Sequence, residues 1–250
     1  MKAYVVNMAS SSDRRRYMEQ LLCNHPGLSI EFIDAVNGKQ LSDQRQRELF
    51  DFDKFSVLMR RRVRPGEIGC TLSHQKCYRQ LIESGERYAI IFEDDLVINE
   101  PFDEMLPAIA QWLDCDEPRL LLLSGWFWFT SSRGFNANHK ISRVFDGYLT
   151  HAYALNSAAA KLMIDSKPWY AADAWHLFVK RGVNICGVRP HLFDQDWSGV
   201  FKTTIQTESK TNVPFNLKVW MNIKRRTLIQ HILSLCGKFE KAEKNKQAGN

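Results

Sequence analysis

Hydrophobic runs and helical stripes alternate along most of this chain. Tyr4-Val-Val6 forms the centre of a short apolar run from Lys2 to Asn7. Ser10-Ser-Ser-Asp13 follows, and these residues favour the start of a helix that continues through Arg14-Arg-Arg-Tyr-Met-Glu-Gln-Leu-Leu22. Leu28 to Val36 reads as a second strand, closed by a turn containing Asn37-Gly38. Ser42 to Phe55 is polar, helical or irregular. Gly66 to Glu83 carries a partly apolar helical stripe that stops at Gly85. Tyr88-Ala-Ile-Ile-Phe92 is long enough for a buried strand, and Pro101 to Leu113 has the spacing of a surface helix. Arg119 to Gly125 predicts another buried strand. Trp126 to His139, rich in Ser, Gly and Asn after its aromatic start, predicts a loop. Leu149 to Leu155 then reads as a strand, and Asn156 to Ile164 as a capped helix. A helix opens near Asp173 and runs to Lys180, and Val183 to Val188 is a last strand. This order predicts one α/β domain over residues 1–217 with a mostly parallel central sheet flanked by helices.

The run at Tyr88 ends in three consecutive carboxylates, Glu93, Asp94 and Asp95. Burying an unpaired carboxylate costs several kcal/mol, so a buried strand ending this way needs partners for them. Alternation in an extended chain puts Glu93 and Asp95 on one face and Asp94 on the other. Two oxygen ligands at the carboxyl end of a strand suit Mg²⁺ or Mn²⁺, whose remaining ligands are usually phosphate and water. A solvated turn is the alternative. No GxGxxG and no GxxxxGK[ST] occurs, which removes the main support for dinucleotide-binding and P-loop readings.

Composition narrows the class. Of 250 residues, 44% are hydrophobic and 25% charged, an ordinary globular balance. The six cysteines form no CxxC pair, so zinc and a disulfide framework are not expected. No stretch approaches the ~18–20 apolar residues of a membrane span, and the first residues do not read as a signal peptide. A cytoplasmic protein is expected. The net charge of +6 is unevenly placed: residues 218–250 hold eight Lys and Arg against two acids, and the rest holds 26 of each. That argues against a nucleic-acid enzyme, whose working face is basic. Lys224-Arg-Arg226 precedes Leu228, Ile229, Ile232, Leu233 and Leu235 at helical spacing. A basic, amphipathic tail of this kind suits an anionic membrane surface.

Several segments together resemble glycosyltransferase family 25, the lipopolysaccharide-type galactosyltransferases of Gram-negative bacteria. They are VVNMASSSDRRRYM, FIDAVNG, GEIGCTLSHQKCYRQLIE, YAIIFEDDLVI, THAYALNSAAAKLM, PWYAAD and DQDWSGV, in that order over roughly residues 2–200. The resemblance implies a GT-A type nucleotide-sugar-binding fold and a UDP-sugar donor, UDP-galactose first and UDP-glucose next. It implies transfer to an outer saccharide of lipopolysaccharide or lipooligosaccharide, metal-dependent and inverting, at the cytoplasmic face of the inner membrane. Glu93, Asp94 and Asp95 would hold Mn²⁺ or Mg²⁺, with His191 as a further ligand. Asn7, Arg14, Asp34, Ser73, His74, Lys76 and Gln195 would surround the donor, and His151 the acceptor. The general base would come from the later half, Asp173 first and Asp196 second. The competing readings are a metal-dependent nucleotidyltransferase or phosphotransferase, and a catalytically degenerate glycan-binding protein.

Overall fold

A computed structural model describes residues 1–99, 102–196 and 216–241. Its centre is a nine-stranded sheet. In chain order the strands are β1 (Lys2–Asn7), β2 (Ser29–Asp34), β3 (Tyr88–Glu93), β5 (Arg119–Leu122), β6 (Trp126–Gly134), β7 (Lys140–Tyr148), β8 (Ala152–Asn156), β9 (Asn184–Arg189) and β11 (Phe239–Glu240). They lie side by side as β11-β6-β7-β9-β5-β8-β3-β1-β2. Two further strands, β4 (Leu96–Ile98) and β10 (Phe193–Gln195), pair antiparallel with each other beside the end of β3.

The sheet is mixed, and this corrects the expectation of a mostly parallel one. β1 pairs parallel with β2 and β3, and β5 with β9. β8 lies antiparallel between β3 and β5, and β7 is antiparallel to both β6 and β9. The cause lies in the connections. Helices join β1 to β2, β2 to β3 and β3 to β5, and helical crossovers preserve strand direction. From β5 to β8 no helix intervenes, and the β6–β7 hairpin reverses the chain once, leaving β7 and β8 opposed to β5. The segment expected to be a loop, Trp126 to His139, is therefore mostly the first arm of the β6–β7 hairpin. The alternation of exposed and buried residues there is confined to Trp126–Phe129, which hid the rest of the strand.

Strand alternation divides the core in two. Tyr4, Val6, Ala89, Ile91, Tyr153 and Leu155 face one side, against α4 (Pro65–Glu83), α6 (Ser157–Met163) and α7 (Trp175–Lys180). Ala3, Val5, Ile90, Phe92, Ala152 and Ala154 face the other, against α1 (Ser12–Leu22) and α5 (Leu106–Leu113). Each fully buried aliphatic or aromatic side chain contributes roughly 1.5–3 kcal/mol, so the two-sided packing of β1, β3 and β8 makes this the rigid part of the molecule. The polar stretch after β2 folds into α2 (Asp43–Leu49) and α3 (Phe52–Met59), capped by Ser42 and Asp51. Phe50 and Phe55 from this stretch pack with Ile68 and Leu72 of α4 in a small third cluster.

Two glycines fix how β2 meets α4. A Cβ on Gly38 would lie 1.8 Å from the Pro65 carbonyl oxygen, and one on Gly69 would lie 2.4 Å from the Val36 carbonyl oxygen. The loop after β2 thus rests backbone to backbone on the first turns of α4. Any side chain at either position would push the two apart. The remaining helix, α8 (Leu217–Leu235), is capped by Asn216 and buries none of its residues.

Candidate active site

The carboxyl ends of β1, β2 and β3 border a cleft of about 800 Å³. Ser10 to Arg14 form one wall, Ala35 to Lys39 another, and Gly66, Cys70, Ser73 and His74 of α4 a third; Glu93, Asp94, Asp95 and Gln195 complete it. Parallel neighbours β1, β2 and β3 all point the same way, which gathers their loops at one edge.

Alternation along β3 sends the three carboxylates to different partners. Asp94 turns toward α1, where it accepts from Asn7 Nδ2 at 2.7 Å and from Arg14 Nη1 at 2.6 Å. Glu93 continues the face of Ala89 and Ile91, toward α4 and β8. The Thr150 hydroxyl donates to Glu93 Oε1, and His74 Nε2 lies 3.4 Å from the same oxygen. His74 is itself tied through Nδ1 to the Tyr153 hydroxyl at 2.7 Å, and Tyr153 to the Tyr78 hydroxyl at 3.0 Å. Asp95, past the turn, accepts from Gln195 Nε2 at 2.8 Å, with Arg14 3.7 Å away.

The electrostatics separate Glu93 from Asp95. Burial acts to raise the pKa of Glu93, but the hydrogen bond with His74, the charges of His151 and His74, and the Thr150 hydroxyl outweigh it and lower it. Asp95 is raised, first by burial and then by repulsion from Glu93. Bringing two carboxylates together is unfavourable unless positive charge compensates them.

The geometry supplies a place for that charge. Glu93, Asp95 and His151 each offer one ligand atom, all within 4.8 Å of one another. Asp95 Oδ1 and His151 Nδ1 are buried and have no hydrogen-bond partner among the described residues. Buried polar atoms without partners are rare, and two converging with a second carboxylate fit a divalent cation. A second group, Cys70, His74 and Glu93, is equally compact. Burial pushes the Cys70 thiol well above its usual range, and sulfur is a soft ligand, so this set is less suited to a hard cation.

The family model described as glycosyltransferase family 25 (LPS biosynthesis protein) matches residues 1–174. The chain belongs to glycosyltransferase family 25. Among its relatives, a glycosyltransferase 25 family member of Aedes aegypti is 29% identical over 66% of this chain and 28% of its own length. The lacto-N-neotetraose biosynthesis glycosyltransferase LgtB of Neisseria meningitidis serogroup B is 22% identical, over 78% of this chain and 76% of its own. A bovine protein named probable inactive glycosyltransferase 25 family member 3 is 25% identical, over 78% of this chain and 32% of its own. The chain thus spans about a third or less of the animal proteins and three quarters of the bacterial one.

Seen in this family 25 chain, the residues singled out from sequence fall into distinct groups. Glu93, Asp95, His74, Ser73, Arg14 and Gln195 all border the cleft. Asn7 is buried behind it and holds Asp94, so that both Asn7 and Asp94 are committed to each other. Ser73 donates to the Gly69 carbonyl and accepts from Val36 N, which fastens the loop after β2 to α4. Lys76 reaches the Asp34 carbonyl at 2.7 Å, and neither side chain lines the cleft. His151 sits with the metal candidates rather than apart from them. His191 is elsewhere: it stacks on Phe127 at 5.6 Å, and burial with the charge of Arg189 lowers its pKa to about 4. It joins neither candidate metal group.

Asp173 does not cap α7, whose N-cap is Ala174. Its carboxylate instead accepts from Leu149 N at 3.2 Å, and Trp175 Nε1 donates to the Leu149 carbonyl at 3.1 Å. Leu149 has φ +75°, a costly conformation for a branched residue, and these two bonds hold it there. The residues that follow are Thr150 and His151, so Asp173 supports the approach to Glu93. Burial, with Glu67 and Glu93 nearby, raises the Asp173 pKa against its backbone hydrogen bonds. Asp196 donates its backbone N–H to the Asp95 carbonyl at 2.8 Å. The DQDWSGV segment from 197 onward lies outside the described residues.

Sequence reading missed Thr150 and Tyr153. Both flank His151 in the THAY segment, and only the pairing of β8 with β3 brings them beside Glu93. Nothing in the order of residues signals that pairing, because the segments are about sixty positions apart.

Proposed function

We propose that this chain transfers a hexose, galactose first among candidates, from a UDP-sugar to an outer saccharide of lipopolysaccharide or lipooligosaccharide, with inversion. Family membership and the LgtB likeness support the reaction class. The observation that carries the site is the convergence of Glu93, Asp95 and His151, with two partnerless buried atoms, at the edge of a cleft roomy enough for a nucleotide sugar.

Glu93, Asp95 and His151 would hold Mn²⁺ or Mg²⁺, in a reading of the GT-A type. When bound, such an ion neutralises the diphosphate and so eases departure of UDP. The chain's own groups do the rest. Arg14, at the first turn of α1, adds positive charge beside the same carboxylates, where helix N–H groups also favour phosphate. Ser10 to Ser12 and Ala35 to Lys39 would enclose the base and ribose. Thr150 and His74 hold the Glu93 carboxylate in one orientation.

Asp173 is the proposed base for the acceptor hydroxyl. Its raised pKa suits that task, since a stronger base withdraws a hydroxyl proton more readily. The sign follows: the acid limb of the rate should fall above the ordinary aspartate range, as the carboxylate is lost when pH drops through its raised pKa. Because the acceptor is carried on a lipid, the enzyme would work at the cytoplasmic face of the inner membrane.

The test is release of UDP and formation of product across a panel of UDP-sugars, with Mn²⁺, with Mg²⁺ and with EDTA. Metal-dependent turnover of one donor is the expected result. UDP binding without turnover of any donor, given a lipooligosaccharide acceptor, would place this chain with the relatives named inactive.

A further inference from the structure

Helix α8 carries apolar residues on two sides. Its inward side is mixed: Val219, Ile223, Ile229 and Leu233 are half-buried there, and polar groups among them fix the helix. Gln230 Nε2 donates to Asp146 Oδ2 at 2.6 Å, and Arg226 Nε lies 3.4 Å from the same oxygen. Asp146 is fully buried in β7, with Gly147 N on its other oxygen at 2.9 Å and His176 Nδ1 3.4 Å away. Further along, Trp128 Nε1 donates to Ser234 Oγ at 2.7 Å. The chain then turns through Gly237 into β11, which pairs with β6 and stacks Phe239 on Trp128 at 4.6 Å.

The outward side is apolar. Leu217, Trp220, Met221, Leu228, Ile232 and Leu235 recur at helical spacing on one face, interrupted by Lys224 between Trp220 and Leu228. Leu228 is 61% exposed, Ile232 50% and Leu235 88%. A helix that packs on its own protein normally turns this stripe inward. Here the inner side is held by half-buried Val219, Ile223, Ile229 and Leu233 together with the buried Asp146, and a second apolar stripe is left facing out.

Charge decides what covers it. No Asp or Glu occurs between Leu217 and Leu235, whereas Lys218, Lys224 and Arg225 are exposed on the helix. Lys241 follows just beyond it, exposed as well. An apolar stripe flanked only by cations matches an anionic lipid surface: the side chains enter the acyl boundary and the cations meet the head groups. A second copy of the same helix would bring like charges together.

We propose that α8 docks the enzyme on an anionic bilayer through this stripe, with Asp146 fixing the helix, and so the sheet, in one orientation to the membrane. The proposal deepens the reading of a lipid-borne acceptor and rests on it for its purpose. Binding itself is measured without donor, acceptor or metal, so its failure and the failure of the transfer reading are separate.

The experiment is co-sedimentation of the full chain with phosphatidylglycerol/phosphatidylethanolamine vesicles and with phosphatidylcholine vesicles, over a salt series. The expected result is binding to the anionic vesicles that weakens with salt. The double substitution Leu228→Ser and Ile232→Ser should lower it about tenfold or more, since it removes two large inserted side chains. Lys224→Glu with Arg225→Glu should also lower it, and transfer to a water-soluble saccharide acceptor should be unchanged in both variants. Equal binding of wild type and the serine variant would overturn the proposal. So would absence of vesicle binding, or a concentration-dependent dimer that the serine variant abolishes, which would assign the stripe to a second copy.

Discussion

The turn after β3 and the helix α8 break the same rule in opposite directions. At the turn, carboxylates are drawn out of water: Asp94 and Asp95 are less than a tenth exposed. On α8, large apolar side chains are left in water. The turn is made tolerable by partners from four directions: Asn7 of β1, Arg14 of α1, His74 of α4 and Thr150 before β8. One of its atoms, Asp95 Oδ1, still lacks one, as does the neighbouring His151 Nδ1. The stripe on α8 has no comparable provision, because every polar group that fixes the helix lies on its other side. Buried charge therefore points to a ligand that enters the protein, and exposed apolar surface to a surface that the protein approaches.

Substitutions can test that contrast, beginning with those that should do most. Asp95→Asn removes one charge from the proposed metal group and should lower transfer about a thousandfold, the scale of several kcal/mol of charge stabilisation. Calorimetry with Mn²⁺ should show weaker binding alongside. Near-normal rates at saturating metal would exclude Asp95 as a ligand.

Asp173 separates two roles. Asp173→Asn should cut transfer about a hundredfold or more while leaving UDP-sugar affinity intact. The asparagine carbonyl can still accept from Leu149 N, so thermal stability should hold. Asp173→Ala should lose activity and also about 1 kcal/mol of stability, as the strained Leu149 loses its support. Unchanged turnover in the asparagine variant would pass the base role to another carboxylate, with Asp196 next to be tested.

Thr150→Val keeps the shape of the side chain and deletes the donor to Glu93. Metal affinity should fall about ten- to hundredfold, the usual cost of losing a group that orients a ligand. The smallest effect belongs to α8. Leu228→Ser with Ile232→Ser should change folding stability by no more than about 0.5 kcal/mol per site, because neither residue is packed in the core. A large loss of stability there would mean that the stripe supports the fold, and would weaken the contrast with the turn.

Much of this molecule could be read from the chain. β1 was placed residue for residue, because a short apolar run between polar flanks leaves little choice. The carboxylates after β3 stood out, since three acids ending a buried run have few inexpensive explanations. The hairpin from Trp126 to Tyr148 escaped, because much of β6 is exposed and its polar residues resemble a loop. Asn7, expected beside the donor, holds Asp94, a pairing across 87 positions that no local pattern encodes.

By itself the sequence determined most of the strands and helices outside the β6–β7 hairpin, where the acids sit, and that the basic excess is confined to the last thirty-odd residues. These follow from local spacing and composition, which depend on near neighbours alone. Only the tertiary structure decided that β8 runs antiparallel beside β3, which brings Thr150 and His151 to Glu93, and that His191 stacks on Phe127 of β6. It also decided which side of α8 faces outward. Helical periodicity shows that a stripe exists, but its direction depends on Asp146, a buried carboxylate eighty residues earlier whose cheapest partners are Arg226 and Gln230.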